Sequence, residues 1–189
     1  MYGQAWVHPR DGARLWPFFL QLQQQYKFKL VAPCVSNAGG AKWWLDAWWG
    51  NCTAMHGPEG CKFDFACTHA YFYPETAPGQ GCDGLPDWVC ASTMMDMIEG
   101  LSKRFGGKQV WVTEWACPDW VKNTKPTGHE CTVEKQIALM SQTMPRMDAS
   151  PIVYRYSWYE NLDIKFGNNS LLTKDGSALT ELGRWYNEH

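Results

Sequence analysis

One carboxylate in this sequence stands where chemistry could be done with it. Val110, Trp111, Val112 and Thr113 are β-branched or aromatic and lack the spacing of a one-faced helix, so they read as a strand buried on both faces. Glu114 stands at its carboxyl end, followed by Trp115, Ala116, Cys117 and Pro118. A parallel α/β barrel presents a catalytic acid in this way, at the end of an apolar strand and before a loop. The ordinary alternative is a surface glutamate at a strand terminus. Trp111 and Trp115 on either side favour a site.

The elements that must position it follow from apolar periodicity. A helix is predicted over 9–25, with Ala13, Leu15, Trp16, Phe19, Leu20 and Leu22 spaced for a buried face. A strand over 28–35, broken by Pro33, runs into a loop with Asn37 and Gly39-Gly40. A short helix over 43–49 precedes a second strand over 62–69, and a Gly/Pro-rich loop spans 74–86. A helix over 87–105 stops at Gly106-Gly107. The strand ending in Glu114 comes next, then a loop with two prolines over 118–128, a helix over 132–147 and a fourth strand over 152–159. The Lys174-Asp-Gly turn and a closing helix over 178–186 end the chain. Strand–helix units about 40 residues apart imply parallel strands with crossover helices. A (β/α)8 barrel typically needs about 250 residues and eight strands. The sequence therefore predicts an α/β fold that is either a small open sheet or the carboxyl-terminal half of a barrel.

Composition narrows the function classes. The chain has 189 residues, 17 Lys and Arg against 19 Asp and Glu, and no basic block, so nucleic-acid binding has no electrostatic support. Its apolar runs are far too short for a membrane span, and Gln4, His8, Arg10 and Asp11 interrupt any signal-like segment. The eight cysteines include no CxxC pair and no zinc-like spacing, so a metal cluster is not expected. An even cysteine count, with Asn-x-Ser/Thr sequons at Asn51 and Asn168, fits an oxidising, extracellular compartment. Proximity pairs Cys52 with Cys61, Cys82 with Cys90 and Cys117 with Cys131. Cys34 and Cys67, on consecutive strands, either pair or remain buried thiols. Twelve tryptophans suit the apolar faces of sugar rings, although most tryptophans fill cores.

Several strings recur together in one known family: Gln4-Ala-Trp, Ala13-Arg-Leu-Trp, Lys29-Leu-Val-Ala-Pro-Cys-Val-Ser-Asn, Cys61-Lys-Phe-Asp-Phe, His69-Ala-Tyr, Val110-Trp-Val-Thr-Glu-Trp-Ala and Tyr154-Arg-Tyr-Ser-Trp-Tyr. With these, the chain resembles the Asl1-like glycosyl hydrolase catalytic domain, glycoside hydrolase family 128, whose members are β-1,3-glucanases. The resemblance covers nearly the whole chain. It implies a TIM-like barrel and retaining hydrolysis of a β-glucan polysaccharide, without a cofactor, through two glutamates. Glu114 matches the nucleophile at the end of the seventh strand. The acid/base glutamate belongs to an Asn-Glu-Pro motif that would fall before Met1, so the chain resembles strands five to eight with the preceding helix. Hydrolysis by this chain alone is then expected to be weak or absent, with a non-catalytic carbohydrate-binding or wall-associated protein as the alternative. Glu75, Glu160 and Asp163 lie on loops at the same barrel end, but none matches the acid/base.

His69 and Tyr71 match the family's His-x-Tyr and would line the cleft beside Glu114. Trp158 and Tyr159 match the aromatic end of the last strand and would either form a stacking floor or pack. Asn37 would either bond a sugar hydroxyl or stabilise its turn. Asp64, between Phe63 and Phe65, is expected in a structural hydrogen bond, and the tryptophans at 43, 44, 48 and 49 in helix-to-barrel packing. A half barrel also exposes sheet edges, which predicts aggregation or self-association.

Overall fold

A computed structural model describes residues 7–35, 42–71, 87–117, 131–162 and 168–189. The element order is α1 (Pro9–Tyr26), α2 (Lys42–His56), a 3₁₀ turn (Glu59–Cys61), β1 (Ala66–Tyr71), α3 (Asp87–Arg104), β2 (Val110–Ala116), α4 (Val133–Ala149), β3 (Val153–Trp158) and α5 (Glu181–Glu188). The three strands form one parallel sheet in the order β1-β2-β3. The fold is α/β, a partial (β/α)8 barrel.

The strand expected over 28–35 is only partly one. Val31 bridges Phe65 and Val35 bridges Thr68, both in parallel, so the segment lies where a fourth strand would. Pro33, with no N–H to donate, keeps the ladder from closing. Asp64 supplies what the ladder lacks. Its carboxylate accepts from the Leu30 backbone N–H at 2.7 Å and from Gln23 Nε2 at 2.6 Å, and it meets Lys29 Nζ at 3.3 Å. Asp64 thus ties α1 and the segment after it to the start of β1. Asp64→Ala strands those donors and is expected to cost about 2 kcal/mol, read as a lower urea midpoint at unchanged slope. An unchanged midpoint would show that water replaces the carboxylate without loss.

On the convex face the strands are dry. Ala66, Thr68, Val110, Val112 and Trp115 are each 0% exposed, in one core with Met94, Ile98, Met140 and Met147 of α3 and α4. Below them, Trp16 of α1 packs edge-on to Trp48 of α2 at 4.9 Å, and Trp48 and Trp49 both contact Phe63. Trp48 is fully buried, as expected, whereas Trp43 is 64% exposed. The buried stripe of α1 is Pro9, Ala13 and Trp16. Leu15 and Phe19, expected inside, are 50% and 39% exposed, because α1 packs on α2 and the 3₁₀ turn along one side only.

Three disulfides fasten the described residues: Cys34–Cys67, Cys52–Cys61 and Cys117–Cys131. The side chains of the expected Cys82–Cys90 pair lie outside the described residues, as do the loops over 74–86 and 118–128. At the carboxyl end, Thr180 caps α5 by accepting from the Gly183 N–H, and Gly183 sits so close to the Leu171 carbonyl that no side chain would fit.

Candidate active site

The concave face begins with strand alternation. Cys67, His69 and Tyr71 of β1 point there, opposite to Ala66, Thr68 and Ala70. On β2, Trp111 and Thr113 do the same, so strict alternation would send Glu114 to the helices. It does not, because the register slips by one: Thr68 pairs with Val112, but His69 pairs with Glu114. A β-bulge of this kind places two consecutive residues on one face. Thr113 and Glu114 therefore both face inward, and Trp115 returns to the core.

The bulge brings Glu114 level with His69. The Tyr71 hydroxyl donates a short hydrogen bond to Glu114 Oε2, and His69 Nδ1 lies 3.1 Å from the same oxygen. The His69 ring stands edge-on to that of Tyr71, with centroids 6.0 Å apart. Burial lowers the His69 pKa from its ordinary value, and the Glu114 charge opposes that shift without reversing it. The imidazole is thus neutral at pH 7. It takes up a proton at lower pH than a free histidine does, so folding loses stability as pH falls through the histidine range, because the unfolded chain is protonated first. Among the described residues no hydrogen bond falls on Glu114 Oε1, and the side chain is 33% exposed. Tyr71 thus holds one oxygen, with His69 beside it, and the other has no hydrogen bond from the described residues.

Tyr159 joins this group. Its backbone N–H donates to the Trp115 carbonyl at 3.0 Å, and its ring stands at 87° to Tyr71 with centroids 5.7 Å apart. Trp158 does not join it. Trp158 is 4% exposed, packs edge-on to Trp115 at 4.7 Å and donates its indole N–H to the Asn169 carbonyl at 2.8 Å, so no ring face is open for a sugar. The slip in β3 pairing explains the difference: Val110 pairs with Val153 but Trp111 with Arg155. Tyr154 therefore stays inside, near Phe65 and Trp111, while Tyr156 and Trp158 turn to the helix side. Asn37, Glu75 and Asp163 lie outside the described residues.

Sequence reasoning missed Thr113, whose hydroxyl lies 3.1 Å from Cys34 Sγ and 3.5 Å from Cys67 Sγ. Its place directly before the carboxylate was the available signal.

Residues 1–186 match the family model for the glycosyl hydrolase catalytic core. The chain belongs to that family. A curated relative, alkali-sensitive linkage protein 1 of Schizosaccharomyces pombe, is 27% identical over 187 residues, which is 95% of this chain and 29% of the relative. Among solved structures, the family 128 (subgroup II) endo-β-1,3-glucanase of Pseudomonas viridiflava is 29% identical with a TM-score of 0.71, over 97% of this chain and 63% of its own. A subgroup I endo-β-1,3-glucanase of Amycolatopsis mediterranei, solved with laminarihexaose, shares the fold at 21% identity and a TM-score of 0.72, over 100% of this chain and 68% of its own. This glycosyl hydrolase core thus spans about two thirds of the solved relatives and under a third of the curated one.

Proposed function

We propose that this chain carries the nucleophile half of a retaining β-1,3-glucanase site, with Glu114 as the nucleophile. The observation that supports it most directly is the Tyr71 hydrogen bond to Oε2, with His69 Nδ1 3.1 Å from the same oxygen, which leaves Oε1 to attack the anomeric carbon. Attack forms the Oε1–C1 bond as the glycosidic oxygen leaves with its electron pair. Tyr71 and His69 hold the carboxylate's rotamer and stabilise its charge until it is spent in the ester. Tyr159 offers the aromatic surface against which a glucosyl ring is placed, Trp158 holds the strand end beneath it, and Asn37 is proposed to bond a sugar hydroxyl. No cofactor takes part.

Retaining chemistry also needs a second carboxyl group about 5 to 5.5 Å from the nucleophile. The sequence contains no Asn-Glu-Pro string. We read the 189 residues as part of one glycosyl hydrolase catalytic domain, the part that supplies Glu114. The paired rings of Tyr71 and Tyr159 also suit a second reading, a non-catalytic glucan-binding protein of the cell wall. The disulfides are compatible with an extracellular or cell-wall location for either. Among the described residues β3 pairs on one side only, and self-association of the isolated chain through that edge is part of the proposal.

Incubation with laminarin beside Glu114→Gln tests the proposal. Slow release of reducing ends by the parent chain and none by the variant is the expected result. Release that the substitution leaves unchanged would remove Glu114 from the chemistry, and binding without release from either would favour the second reading.

A further inference from the structure

A nucleophile must be held to a fraction of an ångström, and the parts that hold this one extend beyond Tyr71 and His69. The Cys34–Cys67 disulfide joins the irregular segment before α2 to β1 on the concave face. Both of its sulfurs lie against the Thr113 hydroxyl. Neither oxidised sulfur has a proton to give, so the Thr113 O–H is the donor and is shared between them. Thr113 is also the extra residue of the bulge that keeps Glu114 on this face. Val110 and Val112 anchor the preceding part of β2 in the core, and Trp115 anchors the part that follows, all 0% exposed. The two bulged residues, Thr113 and Glu114, are only partly buried.

We propose that Thr113, braced by the Cys34–Cys67 disulfide, is a positioning residue that sets the inward aim of Glu114. A hydroxyl held by two sulfurs fixes the rotamer of a β-branched side chain, and through it the backbone orientation at the bulge. Without the brace, β2 can relax toward plain alternation, which turns the next side chain away from His69. The disulfide is then part of the site's geometry as well as a link between two stretches of chain. The inference rests on the reading of Glu114 as the nucleophile only for its catalytic consequence. The placement itself is measurable without catalysis.

The test uses His69 as a gauge of where the carboxylate sits. NMR titration gives the His69 pKa with and without Glu114→Gln, and the difference measures their coupling. The same pair is measured on Thr113→Val, which keeps the shape and removes the hydroxyl, on Thr113→Ser, which keeps the hydroxyl, and on Cys34→Ala/Cys67→Ala. The coupling is expected to fall by half or more in Thr113→Val and in the cysteine pair, and to survive in Thr113→Ser. Trapping of Glu114 by an activated 2-fluoro-glucoside is expected to slow about 10- to 100-fold in the same variants. A lower melting temperature with unchanged coupling in Thr113→Val would overturn the proposal, leaving a purely structural brace. If the cysteine variant does not fold, the Thr113 pair decides alone. If the parent chain shows no trapping, the nucleophile reading fails while the coupling still decides the placement.

Discussion

Glu114→Gln is expected to cut covalent trapping at this site by at least about 10³-fold. The informative reagent is a dinitrophenyl 2-deoxy-2-fluoro-β-glucoside. Its leaving group departs as a stable phenolate and needs no proton, so the reaction depends on the nucleophile and not on the acid. Glu114 Oε1 forms a bond to C1, the C1–O(aryl) bond breaks, and the fluorine slows hydrolysis enough for the ester to accumulate. An amide in place of the carboxylate keeps the shape and can still accept from Tyr71 and His69, but it is a poor nucleophile. Intact mass should show one added fluoroglucosyl group, mapped to the peptide containing Glu114. Tyr71→Phe should retain the label at a reduced rate, since the hydroxyl that holds Oε2 is lost. A label that forms equally fast on Glu114→Gln, or maps elsewhere, would refute the assignment.

The second large effect concerns the leaving group. A glucan's glycosidic oxygen must be protonated as it departs, and a positioned general acid contributes on the order of 10²- to 10⁴-fold. Where only Glu114 acts, dinitrophenyl glucoside should therefore be turned over far faster than laminarin. The ratio of the two rates should exceed that of an enzyme with both carboxylates by about the same factor. Across a series of aryl glucosides the rate should fall steeply as the leaving-group pKa rises, and the pH profile should lack the basic limb that an acid group produces. A flat dependence with brisk laminarin cleavage would show that another carboxylate serves as the acid, and Glu75, Glu160 and Asp163 would be the first to replace.

Much of the fold was legible because it rests on local chemistry. The helices follow from apolar spacing and the strands from β-branched and aromatic runs, and Thr132 at the head of α4 caps it by accepting from the Lys135 N–H at 3.2 Å. Two of the disulfides close loops of 9 and 14 residues and were readable as neighbours. Cys34 and Cys67 stand 33 apart, and whether they meet depends on how two parallel segments are registered. Register is a tertiary property. The same limit governed the site. Glu114 could be placed at a strand end, and the family resemblance put His69 and Tyr71 near it. The slips that send Glu114 inward and Trp158 outward leave no mark in the residues themselves. They cost the aromatic reading of Trp158 and hid Thr113. Leu15 and Phe19 fit a buried helical stripe by spacing, but only one side of α1 has anything to pack against.

The bulge on β2 also bears on how this site can be inherited. Every side chain beyond it is offset by one position, so the site depends on a count of residues as well as on their kinds. Deleting Thr113 would leave the run Val-Trp-Val-Glu-Trp-Ala, which still reads as a strand ending in a glutamate. Without the slip, the pairing of Thr68 with Val112 would continue in phase, and His69 would remain opposite the carboxylate while Thr113's hydroxyl no longer met the sulfurs. Inserting one residue there instead would carry Glu114 past His69 and out of line with Tyr71. Length changes at this point are therefore unequal: a deletion removes the brace, whereas an insertion removes the contact itself.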